Sequence, residues 1–133
     1  MNQFKLGRKS YTPDERDLKL KNYLDTSQLP PLLVSFGHQA LITSCGMLGN
    51  DIVGDCVIAG ADPETLLWCQ EGGSPVIFTD QDAIDDYSAI TGYDPNDPSS
   101  DQGTDVRTAL KYRQKTGMID SGEKGIRLVL ICS

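Results

Sequence analysis

Apolar positions take up helical spacing at Cys56 and keep it through most of the next sixty residues. Val57, Ile58 and Ala61 lead to Leu66, Leu67 and Trp68, Pro63 interrupts the run, and Gly72-Gly73 closes it. Asp62-Pro63-Glu64-Thr65 also has the parts of a helix start: a capping carboxylate, a proline at the first position and an acid in the first turn. The run is therefore either one helix kinked at Pro63 or a short turn at Cys56 followed by a second helix. One kinked helix is the better reading, because Ala61, Leu66 and Trp68 still need burial, even though an interior proline costs about 3 kcal/mol. Thr79-Asp80-Gln81-Asp82 opens like a capping box, Ala83, Ile84, Tyr87 and Ile90 follow at helical spacing, and Gly92 is a C-terminal stop. Thr104-Asp105 caps a third helix with Val106, Ala109, Leu110 and Tyr112 on or near its inner face, and Gly117 ends it. The pattern thus predicts helices from Cys56 to Gln70, from Asp80 to Thr91 and from Asp105 to Thr116.

Extended segments flank these helices, near Val34, at Pro75-Val76-Ile77-Phe78, and from Ile126 to Cys132. The last of these ends abruptly on apolar residues, which reads as a truncation or a frameshift; a lone apolar strand also exposes an edge for unwanted pairing. Residues 1–33 read as an extended arm and residues 34–133 as an incomplete lobe. In the arm, Thr12-Pro13-Asp14-Glu15 resembles a helix start, and Leu29-Pro30-Pro31-Leu32 imposes an extended stretch. The acidic run Tyr93 to Gly103 invites a calcium reading, but its glycine and carboxylate spacing fails the calcium-loop pattern. A series of Asp/Pro turns accounts for it.

Composition narrows the partners. At 133 residues the chain is one domain or part of one, with a net charge of -7 and 38% apolar residues. So acidic a chain argues against nucleic acid or an anionic membrane as partner. No apolar run is long enough to span a bilayer and no signal-peptide pattern opens the sequence, so the expected location is cytoplasmic. Cysteines 45, 56, 69 and 132 lack zinc-like spacing and the chain has one histidine, so neither a metal nor a cofactor is expected. Cys69 and Cys132 read as small buried hydrophobes, while Cys45, in Thr43-Ser44-Cys45-Gly46, has no single reading.

The segment Asn50-Asp51-Ile52-Val53-Gly54-Asp55-Cys56 is the exception. A thiol opening a helix sits at the positive end of the helix dipole, which favours the nucleophilic thiolate. Gly54 and Asp55 form a tight approach to it. Asn50, six residues upstream, carries an amide able to donate to a developing oxyanion. One part of a thiol acyl-transfer site is missing, since no histidine follows Cys56. His38 lies eighteen residues before it, in Phe36-Gly37-His38-Gln39, and reads as a surface-loop residue.

This segment resembles the nucleophile region of papain-like cysteine peptidases, which place a glutamine six residues before the cysteine and a glycine two before it. Asn50, Gly54 and Cys56 stand in those places, while Val57 replaces the usual aromatic residue. Met47 to Asp51, Gly54 to Val57, Ala59-Gly60-Ala61, Leu67-Trp68, Phe78-Thr79-Asp80, Tyr87 to Pro95 and Asp101-Gln102-Gly103 look like phage and prophage proteins with a papain-like fold, over a span from about Lys5 to Gly117. The resemblance implies an α+β architecture, the helical lobe of a papain-like fold with short extended segments, whose histidine belongs to a longer C-terminal half. It implies Cys56 as the nucleophile, Asn50 at the oxyanion hole, and Gly54 and Asp55 in support. The expected function is that of a phage-type cysteine peptidase relative, incompetent by itself. The alternatives are a non-catalytic phage structural or interaction module, or a thiol hydrolase with an unusual base. Expected partners are peptides, virion proteins or a histidine-bearing second lobe, with a virion-associated location as the alternative to the host cytoplasm.

Overall fold

The computed structural model describes residues 6–31, 33–35, 37–120 and 123–126. Its framework is three α-helices: α1 (Cys56–Glu71), α2 (Asp80–Thr91) and α3 (Val106–Lys115). A short antiparallel hairpin follows, β1 (Met118–Asp120) with β2 (Glu123–Ile126), and β1 packs against α2.

Local chemistry explains where the helices begin and end. Thr79 and Asp82 form a reciprocal capping box at the start of α2, and Gly92 ends it in the left-handed conformation at φ 76°. Asp105 caps α3 by accepting from the Thr108 amide at 3.0 Å. α1 is the single helix expected, with Pro63 inside it, although Trp68, one of the residues offered as needing burial, is exposed; Asp62 does not cap a new helix there but lies buried at 1% exposure.

The apolar core is small. Leu48, Val53, Ile58, Phe78, Ala83, Tyr87, Ala109 and Met118 make it up, with Val57, Leu66 and Ile84 packed around them. Buried beside it is an acidic group: Asp55, Asp62, Asp82 and Asp86, faced by Arg113.

The α+β expectation is corrected by this architecture. The described residues form a mostly helical domain with a single small hairpin, not the α+β lobe that the resemblance implies. The segment at Pro75 to Phe78 is extended but pairs with no strand, and the backbone near Val34 is a bend with Val34 fully exposed. A strand needs a neighbouring strand for its ladder, and neither segment has one among the described residues. Of the strand expected from Ile126 to Cys132, only Ile126 falls among the described residues, as the last residue of β2; residues 127 to 132 lie outside them.

The arm contains no helix at Thr12 to Glu15. It has two 3-10 turns, Leu20–Asn22 and Thr26–Gln28, and no buried residue among those described from 6 to 47. Its first part is nevertheless anchored. Arg8 forms a parallel bridge with Thr104, through Lys9 N–H to Thr104 O and Thr104 N–H to Gly7 O, both 2.9 Å. Arg107 donates to Asp17 and to the Thr12 carbonyl, and stacks over Tyr11. No helix among the described residues is long and apolar enough to cross a membrane.

Candidate thiol site

Cys56 is the first residue of α1 and is partly buried. The turn that delivers it is held by a contact far away in sequence. The Gly54 amide donates to both carboxylate oxygens of Asp101, at 3.0 and 3.2 Å. The Tyr87 hydroxyl donates to the same carboxylate at 2.7 Å and accepts from the Gly103 amide at 2.8 Å. Burial, reinforced by the Asp101 carboxylate, holds the Tyr87 hydroxyl well above its usual pKa, so it stays a donor.

Backbone closeness locks the same corner. A Cβ on Gly7 would come within 1.6 Å of the Gly54 carbonyl oxygen, and one on Gly103 within 1.9 Å of the Gly7 carbonyl oxygen. Three glycines therefore let the arm, the Cys56 turn and the loop before α3 meet with nothing between them.

Asp55 precedes the thiol, and its carbonyl accepts the Ile58 amide at 2.7 Å. Its side chain does not cap the helix. The carboxyl is fully buried near Gly49, and neither oxygen has a hydrogen-bond partner among the described residues. Burial pushes it up to about 7, opposed by its own backbone amide and helped by the charges of Asp101, Asp51 and Asp80. It is thus protonated over much of the acidic range, and its support of Cys56 is structural.

Beside Cys56 lies a groove of about 270 Å³ between α1 and α3. α1 contributes Cys56, Val57, Ile58, Gly60, Ala61 and Glu64, α3 contributes Val106, Ala109, Leu110 and Arg113, and Arg8 and Met118 complete the lining. Cys56, Gly60 and Glu64 share a face at i, i+4 spacing. Arg113 is 6% exposed, donates to Glu64 at 3.0 Å and to the Thr65 hydroxyl at 2.5 Å, and stacks 5.5 Å over Trp68.

Asn50 does not line this groove, and His38 is partly exposed, as its surface-loop reading expects. Among the described residues no hydrogen bond joins the Asn50 side chain to Cys56, and its Oδ1 is buried and without a partner. His38 pairs with Glu71, the last residue of α1. Fifteen residues of helix separate Glu71 from Cys56, roughly 22 Å at about 1.5 Å per residue. The imidazole cannot reach the thiol in this fold.

Sequence reasoning missed Asp101, Tyr87, Arg8, Arg113 and Gly60. The i, i+4 spacing of Cys56 and Gly60 was a usable signal of an open face, whereas Asp101 acts across 47 residues and leaves no local trace. No group of three or more His, Cys, Asp or Glu able to hold a metal ion occurs among the described residues. Compared with known proteins, the chain matches no family model, no curated protein and no solved structure.

Proposed function

We propose that this chain supplies the nucleophile of a phage-type cysteine-peptidase-related site, forms a thioester with activated acyl groups, and does not hydrolyse peptides by itself. The observation that carries this reading is Cys56 in the first turn of α1, opening on a groove and set there by the Gly54–Asp101 contact. Acylation by an activated ester needs only a thiolate: sulfur attacks the carbonyl carbon, and a stable phenolate departs without a proton. An amide leaves only after its nitrogen is protonated, and that task requires an acid poised near neutral pH. His38 is too distant to serve. The Asp55 carboxyl is fully buried and closed to a departing amine, so in this reading the acid comes from a partner.

The test is reaction with p-nitrophenyl acetate, read by peptide-resolved mass spectrometry. The expected result is an acetyl group on Cys56, no peptide hydrolysis, and faster loss of that acetyl group when imidazole is added. Acetylation no faster at Cys56 than at Cys45 or Cys69 overturns the reading, as does peptide hydrolysis that survives Cys56→Ala.

A non-catalytic interaction module is favoured by a separate observation. Residues 6–47 bury no side chain among those described, and Leu18, Leu20, Tyr23 and Val34 are all more than two-thirds exposed. An arm of that kind gains little from folding alone and suits a partner such as a virion protein.

A further inference from the structure

Three features of the groove beside Cys56 bear on what it would accept. Its floor is open at Gly60, where an added Cβ would meet nothing within 4 Å. Its walls are apolar at Val106 and Leu110. Its charge is unbalanced: Glu64 engages Arg113, while the Arg8 side chain has no ion-pair partner among the described residues.

The geometry points to a binding site for an apolar residue that carries a carboxylate, with its ring or branched chain over Gly60 and its anion toward Arg8. Such an occupant matches the cavity of about 270 Å³, which is below the usual range for drug-sized ligands and suits a single side chain. In a peptide this is an apolar C-terminal residue. The assignment rests on the reading of the groove beside Cys56 as the functional site, and it names Gly60 as the position that sets the size of the accepted side chain and Arg8 as the anchor of its charge.

The experiment measures binding apart from thiol chemistry. Backbone amide NMR spectra of the full chain are recorded with millimolar N-acetyl-phenylalanine, its uncharged amide, or N-acetyl-aspartate. The expected result is shifts clustered at Gly60, Ala61, Val106 and Leu110 with N-acetyl-phenylalanine. The amide should bind about two- to fivefold more weakly, the range of a partly exposed ion pair, and N-acetyl-aspartate should produce no such cluster. Arg8→Gln should abolish the difference between acid and amide. Gly60→Phe should abolish binding, and Gly60→Ala, which fits the open space, should weaken it while circular dichroism stays unchanged. Shifts that are absent or scattered over the surface, equal binding of acid and amide, or binding retained in Gly60→Phe would each overturn the assignment. Because nothing in this test needs a reactive Cys56, an inert thiol leaves it standing, and failure here leaves the acetylation result untouched.

Discussion

Gly54 donates its amide to both oxygens of the Asp101 carboxylate, and this contact fixes the turn that carries Cys56. The two residues lie in different loops, one before α1 and one before α3, and Tyr87 of α2 joins them through the same carboxylate. All three helices are thereby tied to the position of one thiol.

Replacing Asp101 should therefore cost more than its partly exposed position suggests. Hydrogen bonds to a charged acceptor contribute about 1.5–3 kcal/mol. Asp101→Ala is expected to lower stability by about 2–3 kcal/mol in urea titrations, and Tyr87→Phe by about 1–2 kcal/mol through the stranded Gly103 amide. Amide hydrogen exchange at Gly54 should accelerate in Asp101→Ala. Unchanged protection there would mean that the carboxylate does not hold the turn.

The buried carboxyls predict an inverted pH dependence. Asp55 and Asp62 have both oxygens buried without hydrogen-bond partners among the described residues, and both are pushed from 3.8 up to about 7, chiefly by burial. Between those values the folded form keeps protons that the unfolded chain releases. Their contribution is present in full below about pH 4, declines as pH rises, and levels off above about 7. At about 1.36 kcal/mol per unit, each group could remove on the order of 4 kcal/mol, with less for the set because they interact. The exposed carboxylates that cap turns, such as Asp97 and Asp105, are lowered by their serine and threonine donors and act in the opposite sense below pH 4. Urea midpoints should thus peak near pH 4–5 and fall toward pH 8. Asp62→Asn should flatten the slope and stabilise the chain at pH 8; a midpoint that rises with pH in the native chain would refute this account.

How much of this was legible in the sequence follows from the range of each interaction. Thr79 with Asp82, Gly92 and Asp105 act within one turn, so the ends of α2 and the start of α3 could be read from neighbouring residues. Asp62 before Pro63 looked like a cap because local chemistry favours that role; its burial within the continuous helix α1 decided otherwise. The α+β expectation came from the resemblance, and the extended segments found no strand to pair with. Cys56 was recognised as the candidate nucleophile from its place at a helix start, whereas the groove that it opens on depends on α3, fifty residues later.

His38 offers a direct check of the site's incompleteness. It pairs with Glu71 at the far end of α1, and both side chains are 40% exposed. His38→Ala should change stability by less than about 1 kcal/mol and leave the rate of Cys56 alkylation by iodoacetamide unaltered. A clear slowing of alkylation in this variant would place the imidazole near the thiol after all.

Two glycine substitutions should have opposite signs. Gly60 lies in the interior of α1 with open space where a Cβ would be, so Gly60→Ala removes only the conformational penalty of glycine and should stabilise the chain by about 1 kcal/mol. Gly7→Ala drives a methyl to within 1.6 Å of the Gly54 carbonyl oxygen, in backbone that cannot swing aside. The arm must then leave, and the paired bonds between Gly7, Lys9 and Thr104 break with it. The helices keep their caps and core, so the loss should be local. Limited trypsin digestion reads it directly: cleavage after Arg8 and Lys9 should be fast in Gly7→Ala and slow in the native chain and in Gly60→Ala. Equal cleavage in all three would show that the arm is not seated on the Cys56 turn.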